Sequence, residues 1–150
     1  MNLSNVIKAE DILIDLPVTS KAGLIKAMSS HAAVRTGIDQ AVIQKALLKR
    51  EELGSTGIGS GVAIPHTALE GLETPFTALA ILEKAIDFES VDEVPIDVAF
   101  LLLSPPDQSP DYLKILSAVA RRAHSDQVLK LLRSAGSPAK AYAILVDDMD

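Results

Sequence analysis

A histidine directly after a proline is the residue in this sequence best suited to nucleophilic chemistry. His66 follows Pro65 at the end of a short apolar run, Val62-Ala63-Ile64. Pro65 fixes its own φ and biases Ile64 toward extended backbone, so the imidazole is expected to project from a stiff edge. A neutral imidazole has one nucleophilic nitrogen, and a hydrogen bond can hold the other. This placement suits a histidine that receives a phosphoryl group.

A glycine-rich segment lies just upstream of this histidine. The eight residues from Gly54 to Gly61 include four glycines. Without a Cβ, glycine lets backbone N–H groups approach an anion closely. The candidate phosphate-proximal residues are Gly54, Ser55, Thr56 and Gly57.

Arg50 precedes this segment and is the candidate cation, because a guanidinium matches the geometry of a phosphoryl group. Taken by themselves, these residues leave a plain turn and a structural or merely exposed histidine open as alternatives.

The patterns that must position these residues predict one α/β domain over residues 1–150, with an acidic tail, 147–150, that is frayed. Strands are predicted over 10–16, 62–64, 77–82 and 96–103. Helices are predicted after Ser20 (or Thr19), Asp39, Ser109, Ser125 and Ser137, because these residues can cap a helix and apolar stripes follow them. Five inward faces are expected: Ile12, Ile14 and Leu16; Leu24, Ile25, Met28 and Ala32; Val42, Ile43, Ala46 and Leu47; Leu113, Leu116, Ser117 and Ala120; and Val128, Leu129 and Leu132.

Composition excludes several classes of function. The chain of 150 residues has a net charge of −6 and no cysteine, which argues against a broad nucleic-acid surface, disulfides and thiolate metal sites. No run of about 20 apolar residues predicts a membrane span, and the N-terminus lacks the pattern of a signal peptide. We therefore expect a cytoplasmic protein without membrane insertion.

Other polar residues suggest no site of their own. His31 is interpreted as a surface or half-buried residue and His124 as a helix-end residue, and neither has a spacing that makes a metal trio with His66. The acidic stretch at residues 87–93 is interpreted as a solvated loop. Leu53, Ile58 and Val62 flank the histidine in sequence, and any of them that are exposed would form an apolar rim for a docking protein.

The stretch from Leu48 to His66 resembles the active-site signature of the mannitol/fructose-type enzyme IIA domains of the bacterial phosphoenolpyruvate-dependent phosphotransferase system. Its Gly-Ser-Thr-Gly-Ile-Gly variant is most similar to the nitrogen-regulatory branch. The resemblance extends to residues 16–21, 95–98 and 116–120. It implies a mixed β-sheet with helices packed on both sides, and it implies no metal or organic cofactor.

The resemblance also implies roles for individual residues. His66 would carry the phosphoryl group on Nε2, and Arg50 would contact the phosphoryl oxygens. The donor would be a histidine-containing phosphocarrier protein, charged by enzyme I, and regulated targets would be proteins such as transporters or sensor kinases. Tyr112 stands where many relatives have a second active-site histidine. It is either a neutral hydrogen-bond donor near the site or an ordinary residue of a helix face.

Three functions are consistent with this sequence. The preferred one is a nitrogen-regulatory IIA phosphocarrier that regulates partner proteins through its phosphorylation state. The second is a sugar-specific IIA that passes phosphate to the IIB domain of a fructose or mannitol permease. The third is a protein-binding module that is not phosphorylated.

Overall fold

Six strands form one mixed sheet that carries the candidate site. The computed structural model describes residues 3–107 and 110–147. Within them the strands are β1 (Ile12–Leu16), β2 (Gly57–Gly59), β3 (Val62–Ala63), β4 (His66–Ala68), β5 (Phe76–Ile86) and β6 (Ile96–Ser104). The helices are α1 (Lys21–Thr36), α2 (Gln40–Glu52), α3 (Pro110–Ala123), α4 (Asp126–Arg133) and α5 (Pro138–Val146), and single 3-10 turns cover Leu3–Asn5 and Ala9–Asp11.

Strand β6 organises the sheet. The order is β1-β5-β6-β3-β2, and β4 also pairs with β6. Strands β3 and β4 both run parallel to β6, with Val62 opposite Val98 and His66 opposite Leu102. The two short strands therefore follow one another along a single edge of β6, and only Ile64 and Pro65 lie between them.

The helices pack on both sides of this sheet. On one side α1 and α2 bury Leu24, Met28, Ile43 and Leu47 against it. On the other side α3, α4 and α5 pack with the N-terminal turns. Apart from the half-buried Asp97, all residues of β6 are buried, as its continuous apolar run predicts. The predicted fold class, a mixed sheet between two helical layers, is confirmed.

Most helix boundaries follow from capping chemistry. The hydroxyls of Ser20, Ser125 and Ser137 accept hydrogen bonds from backbone N–H groups three residues later, which satisfies donors that the first turn leaves free. Gly37 ends α1 with φ of 78°. Asp39 precedes α2 without a side-chain capping bond. Helix α3 begins at Pro110, and the predicted cap Ser109 lies outside the described residues, as do residues 148–150 of the tail.

Strand β1 begins later than predicted, and its last residue faces the opposite side from the one expected. It begins at Ile12, because residues 9–11 form a 3-10 turn instead. Ile12 and Ile14 face the α3–α5 side as expected, but Leu16 packs on the α1–α2 side. Asp15 has φ of 53°, and the pairing register with β5 shifts at this point. This irregularity turns Leu16 to the opposite face.

The inward face of α3 was predicted one position out of phase. Its buried residues are Tyr112, Ile115, Val119 and Ala123, whereas Leu113 is 62% exposed. In α2, Ile43 and Leu47 are buried as predicted, but Val42 is 49% exposed. Several phases of a 3.6-residue period fit these apolar-rich stretches, and only packing against the sheet selects one.

Neither a membrane-spanning helix nor a cluster of metal-ligating side chains is found among the described residues. Among residues 3–107 and 110–147, no helix is long and apolar enough to cross a membrane. The same part of the chain contains no group of three or more His, Cys, Asp or Glu side chains able to hold a metal ion.

Candidate functional site

The backbone of His66 is held by strand pairing. Residue 66 is the first residue of β4, a strand that the sequence did not predict. It lies opposite Leu102 of β6, and Leu102 N–H donates to the carbonyl of Pro65 at 3.0 Å. The histidine thus begins a strand instead of trailing from the end of one, and the neighbouring buried strand fixes its Cα.

One hydrogen bond defines the state of the imidazole. His66 Nδ1 lies 2.7 Å from the carbonyl oxygen of Ile64. A carbonyl oxygen can only accept, so Nδ1 carries the proton and Nε2 keeps its lone pair when the ring is neutral. The side chain is half-buried. The ring therefore has a fixed tautomer and one free nucleophilic nitrogen.

Arg50 lies in the last turn of α2, the helix that packs against β4. Its Nη1 donates to the carbonyl of Gly54 at 3.0 Å, which ties the guanidinium to the start of the glycine-rich segment. This bond uses one of the five N–H donors of a guanidinium. The fold therefore brings together the elements that carry Arg50 and His66, and Arg50 retains donors for an anion.

Tyr112 is buried at the start of α3, in the same apolar cluster as Ile64 and Leu102. Burial raises the pKa of Tyr112, and the positive charge of Arg50 partly opposes that rise. The phenol is therefore neutral at physiological pH, and Arg50 is near enough to act on it electrostatically. Tyr112 belongs to the core and is not a surface residue of its helix. A hydrogen bond from its hydroxyl near the phosphoryl group stays a prediction.

The two hydroxyls of the glycine-rich segment are already bonded within the protein. Ser55 Oγ donates to the carbonyl of Phe88 at 3.1 Å and accepts from Gly57 N–H at 3.1 Å. Thr56 Oγ1 donates to the carboxylate of Glu51 at 2.5 Å. The loop hydrogen bonding expected of both residues is present. Their contact with a phosphoryl group stays a prediction, as do the phosphate contacts of Gly54 and Gly57.

Part of this segment is a strand. Gly57–Gly59 forms β2, antiparallel to β3, which the glycine content had concealed. A Cβ built on Gly57 would lie 2.2 Å from Ser90 Oγ and 2.8 Å from Ser90 Cβ. The absence of a side chain at Gly57 therefore permits close packing against the loop that precedes β6.

Glu51 and Lys21 are site-adjacent residues that the sequence analysis missed. Glu51 is only 9% exposed and forms an ion pair with Lys21, Nζ to Oε1 at 3.0 Å. Glu51 follows Ile43 and Leu47 at helical spacing, so it continues the buried stripe of α2. A carboxylate on an apolar stripe was a signal in the sequence, although its partner Lys21 lies thirty residues away.

Arg133 of α4 fastens the far end of the same segment. Its Nη2 donates to the carbonyl of Ser60 at 2.8 Å, and its Nε donates to Asp97 at 3.0 Å. Gly61 has φ of 79°, and a Cβ there would lie 2.7 Å from Arg133 Nη2. Glycine at this position permits both the left-handed backbone and the close approach of the guanidinium.

Of the three expected rim residues, two reach the surface. Leu53 is 84% exposed and Ile58 is 38% exposed, whereas Val62 is completely buried in β3. Val62 cannot contribute to a docking surface, because β3 lies between β2 and β6. The apolar surface along this segment consists of Leu53 and Ile58.

The remaining histidines have local roles. His31 Nε2 lies 2.8 Å from the buried carboxylate of Asp11, which also accepts from Arg35 Nε at 2.9 Å. His124 is exposed at the end of α3. Both positions agree with the interpretation of His31 as a surface or half-buried residue and of His124 as a helix-end residue.

Comparison with known proteins settles the family. The family described as "Phosphoenolpyruvate-dependent sugar phosphotransferase system, EIIA 2" matches residues 5–147. The chain belongs to this family. A nitrogen regulatory protein of Bradyrhizobium diazoefficiens is 39% identical over 145 residues, covering 97% of this chain and 95% of that protein. One from Escherichia coli is 37% identical over 150 residues, covering 98% of this chain and 91% of that protein.

A solved structure supports the same assignment. Nitrogen regulatory protein IIA-Ntr from Neisseria meningitidis superposes with a TM-score of 0.90 at 28% identity, covering 95% of this chain and 98% of that one. The resemblance stated from the Leu48–His66 signature is thereby confirmed. Membership in this EIIA family supports an activity of the phosphotransfer type, and such an activity requires partner proteins that give or take the phosphoryl group.

Proposed function

We propose that this chain is a phosphocarrier of the phosphotransferase system that accepts a phosphoryl group on Nε2 of His66. The observation that carries the proposal is the hydrogen bond from His66 Nδ1 to the Ile64 carbonyl. It leaves Nε2 as the nitrogen with a lone pair, on a half-buried ring whose backbone is held by β6. The expected donor is a histidine-containing phosphocarrier protein, charged by enzyme I from phosphoenolpyruvate.

The transfer step needs positioning more than acid–base chemistry. The Nε2 lone pair of His66 attacks phosphorus in line with the scissile P–N bond of the donor's phosphohistidine. The new P–N bond forms on His66 as the donor bond breaks, and the electron pair of that bond returns to the donor imidazole. The proton on His66 Nδ1 stays in place throughout.

Arg50 is proposed to stabilise the charge on the equatorial phosphoryl oxygens. Its guanidinium has N–H groups beyond the one bonded to Gly54, and a pre-positioned cation acts without reorganisation at the moment of reaction. Tyr112 is neutral and lies within the electrostatic reach of Arg50, so it is a candidate hydrogen-bond donor on the same side.

The output that we propose is regulatory. The relatives named as nitrogen regulatory proteins favour this reading over transfer to a sugar-specific IIB domain. A phosphoryl group adds about −1.5 to −2 charge. A target protein that docks on exposed Leu53 and Ile58 beside the site would encounter this charge, so its binding would depend on phosphorylation. Transporters and sensor kinases are the target classes that we expect.

The decisive experiment is phosphoryl transfer from phosphoenolpyruvate with purified enzyme I and phosphocarrier protein, followed by intact mass. We expect the wild type to gain one acid-labile phosphate that His66→Ala lacks. His124→Ala is the matched control, because it removes an exposed histidine elsewhere and should leave the phosphate in place. Absence of phosphate on the wild type with several donors would overturn the proposal and favour a non-phosphorylated binding module.

Arg50 is tested in the same assay. Arg50→Ala should slow phosphoryl uptake by about 10²- to 10³-fold, the usual effect of removing one preorganised charge-stabilising group. Lys49→Ala is the control, since it removes the neighbouring, exposed cation of the same helical turn. Equal rates in the two variants would refute the assignment of Arg50 to the phosphoryl group.

A further inference from the structure

The carboxylate of Glu51 is buried, and donors from two elements satisfy it. Its side chain is 5% exposed. Oε1 accepts from Lys21 Nζ at 3.0 Å and from Thr56 N–H at 3.1 Å, and Oε2 accepts from Thr56 Oγ1 at 2.5 Å. Burying a charge is costly unless it is paired and hydrogen-bonded, so a carboxylate with this many donors is a built feature of the fold. Lys21 is itself held over the ring of Phe88, 4.6 Å from its centroid.

A continuous series of hydrogen bonds leads from this carboxylate to the candidate nucleophile. Glu51 holds both the N–H and the hydroxyl of Thr56. The carbonyl of Thr56 accepts from Ile64 N–H at 2.9 Å. The carbonyl of Ile64 accepts from His66 Nδ1 at 2.7 Å. The first two links involve Thr56 of the glycine-rich segment. The last link, between Ile64 and His66, sets the tautomer of the imidazole.

We infer that Glu51 is a positioning residue for His66. It clamps Thr56, Thr56 places Ile64, and the Ile64 carbonyl keeps the proton on Nδ1 so that the lone pair stays on Nε2. This inference rests on the proposed role of His66 as phosphoryl acceptor. Because the links pass through the α-carbons of Thr56 and Ile64, the effect is one of placement and not of charge relayed along conjugated bonds.

The local sequence shows why such a clamp is needed. The imidazole is oriented by a carbonyl that precedes Pro65, in a connection of two residues between two very short strands. Strands of this length have few ladder bonds of their own. The bond from Ile64 N–H to the Thr56 carbonyl supplies a further anchor, and Glu51 in turn binds Thr56 on two atoms.

The test measures the tautomer directly. In protein labelled with ¹⁵N-histidine, the ring nitrogen shifts of His66 show which nitrogen carries the proton. We expect the wild type to be protonated on Nδ1. Glu51→Met, which removes every acceptor, should give a mixture of both tautomers. Glu51→Gln retains an oxygen for Thr56 N–H and should restore most of the wild-type signal.

The same variants are assayed for phosphoryl uptake from phosphoramidate, a small-molecule donor that needs no partner protein. Glu51→Met should react about 10- to 100-fold more slowly, because small misplacements of a reacting group cost this much. Glu52→Gln and Glu52→Met are matched controls, since Glu52 is the exposed neighbour on the same helix. Ile7→Val, a change at a buried residue elsewhere, controls for a general loss of stability.

A folded Glu51→Met with the wild-type tautomer and rate would overturn the inference. If Glu51→Met does not fold, the test uses Thr56→Val instead, which removes the hydroxyl that donates to the carboxylate. A wild-type tautomer and rate in Thr56→Val would equally overturn the inference. Failure of the proposed function looks different: the wild type would take no phosphate from any donor, while the contrast in tautomer between Glu51 and Glu52 variants would still be measurable.

Discussion

Adding one methyl group at Gly57 should destabilise the protein through a single neighbour. The Cβ of alanine would lie 2.2 Å from Ser90 Oγ, 2.8 Å from Ser90 Cβ and 3.2 Å from Ser90 Cα. Ordinary carbon contacts begin near 3.4 Å, so the hydroxyl alone is more than 1 Å too close. Rotating the hydroxyl away leaves the Cβ clash, and the backbone of one loop must therefore move.

The expected cost is about 1–3 kcal/mol, the usual penalty for overpacking a well-packed site. For a domain of this size that corresponds to a fall in Tm of about 2–12 °C, at 2–4 °C for each kcal/mol. Ser90 is 6% exposed, so the side chain cannot simply turn into solvent. Gly57 has no positive φ, which means that alanine is not disfavoured there by backbone conformation.

A double-mutant cycle separates the clash from other effects. Ser90→Gly removes both atoms responsible for the shortest contacts, so Gly57→Ala should cost about 1–2 kcal/mol less in the Ser90→Gly background. Urea unfolding monitored by circular dichroism gives all four free energies of unfolding. Equal costs of Gly57→Ala in the two backgrounds, or a cost below about 0.5 kcal/mol in the wild type, would refute the reasoning.

Three further outcomes are expected. Leu53→Asp should leave the unfolding free energy unchanged but reduce phosphoryl transfer from the protein donor. The control Val34→Asp, at a residue 82% exposed on α1, should change neither quantity, and equal transfer rates in the two variants would count against docking at Leu53. Because burial raises the pKa of Tyr112, its contribution to stability is complete below the unfolded pKa of about 10 and is lost as the pH rises through the folded value. The free energy of unfolding of Tyr112→Phe, measured in urea titrations, should therefore fall less with pH above pH 10 than that of the wild type, and equal falls would contradict this prediction. Arg133→Met should lower the unfolding free energy by about 0.5–1.5 kcal/mol in the same assay, because it removes exposed hydrogen bonds to a carbonyl of the glycine-rich segment and to the Asp97 carboxylate; no change would show that this contact contributes nothing.

The parts of the fold that could be predicted are those that local chemistry determines. The serine caps of α1, α4 and α5 depend on one hydroxyl and a nearby N–H, and β6 is continuously apolar from Val98 to Leu103 because both faces are covered. The strands β2 and β4 could not be predicted, since three residues carry too little pattern. The partner of β2 is the neighbouring two-residue strand β3, and the partner of β4, β6, lies far away in sequence. The turned-over Leu16 depends on the backbone of one residue, Asp15.

The candidate site divides in the same way. His66 and Arg50 were selected by residue type and by the resemblance of the surrounding signature, and the fold brings their elements together. The clamp of Glu51 on Thr56 was not predicted, because Thr56 was interpreted as a possible phosphate contact. The structure shows this carboxylate bonded to Lys21 and to two atoms of Thr56.

Two glycines of this segment allow neighbouring side chains to pack closely against its backbone. Gly57 admits Ser90, and Gly61 admits the guanidinium of Arg133. Glu51 of α2 binds Thr56, just before β2, and Arg133 of α4 binds Ser60, in the turn between β2 and β3. The segment is therefore bonded to a helix near each of its ends. A histidine that exchanges phosphoryl groups between proteins must present Nε2 in nearly the same place in each encounter, because in-line transfer tolerates little misalignment. A segment packed this tightly against its neighbours can provide that placement, whereas the same glycine content in a free loop could not.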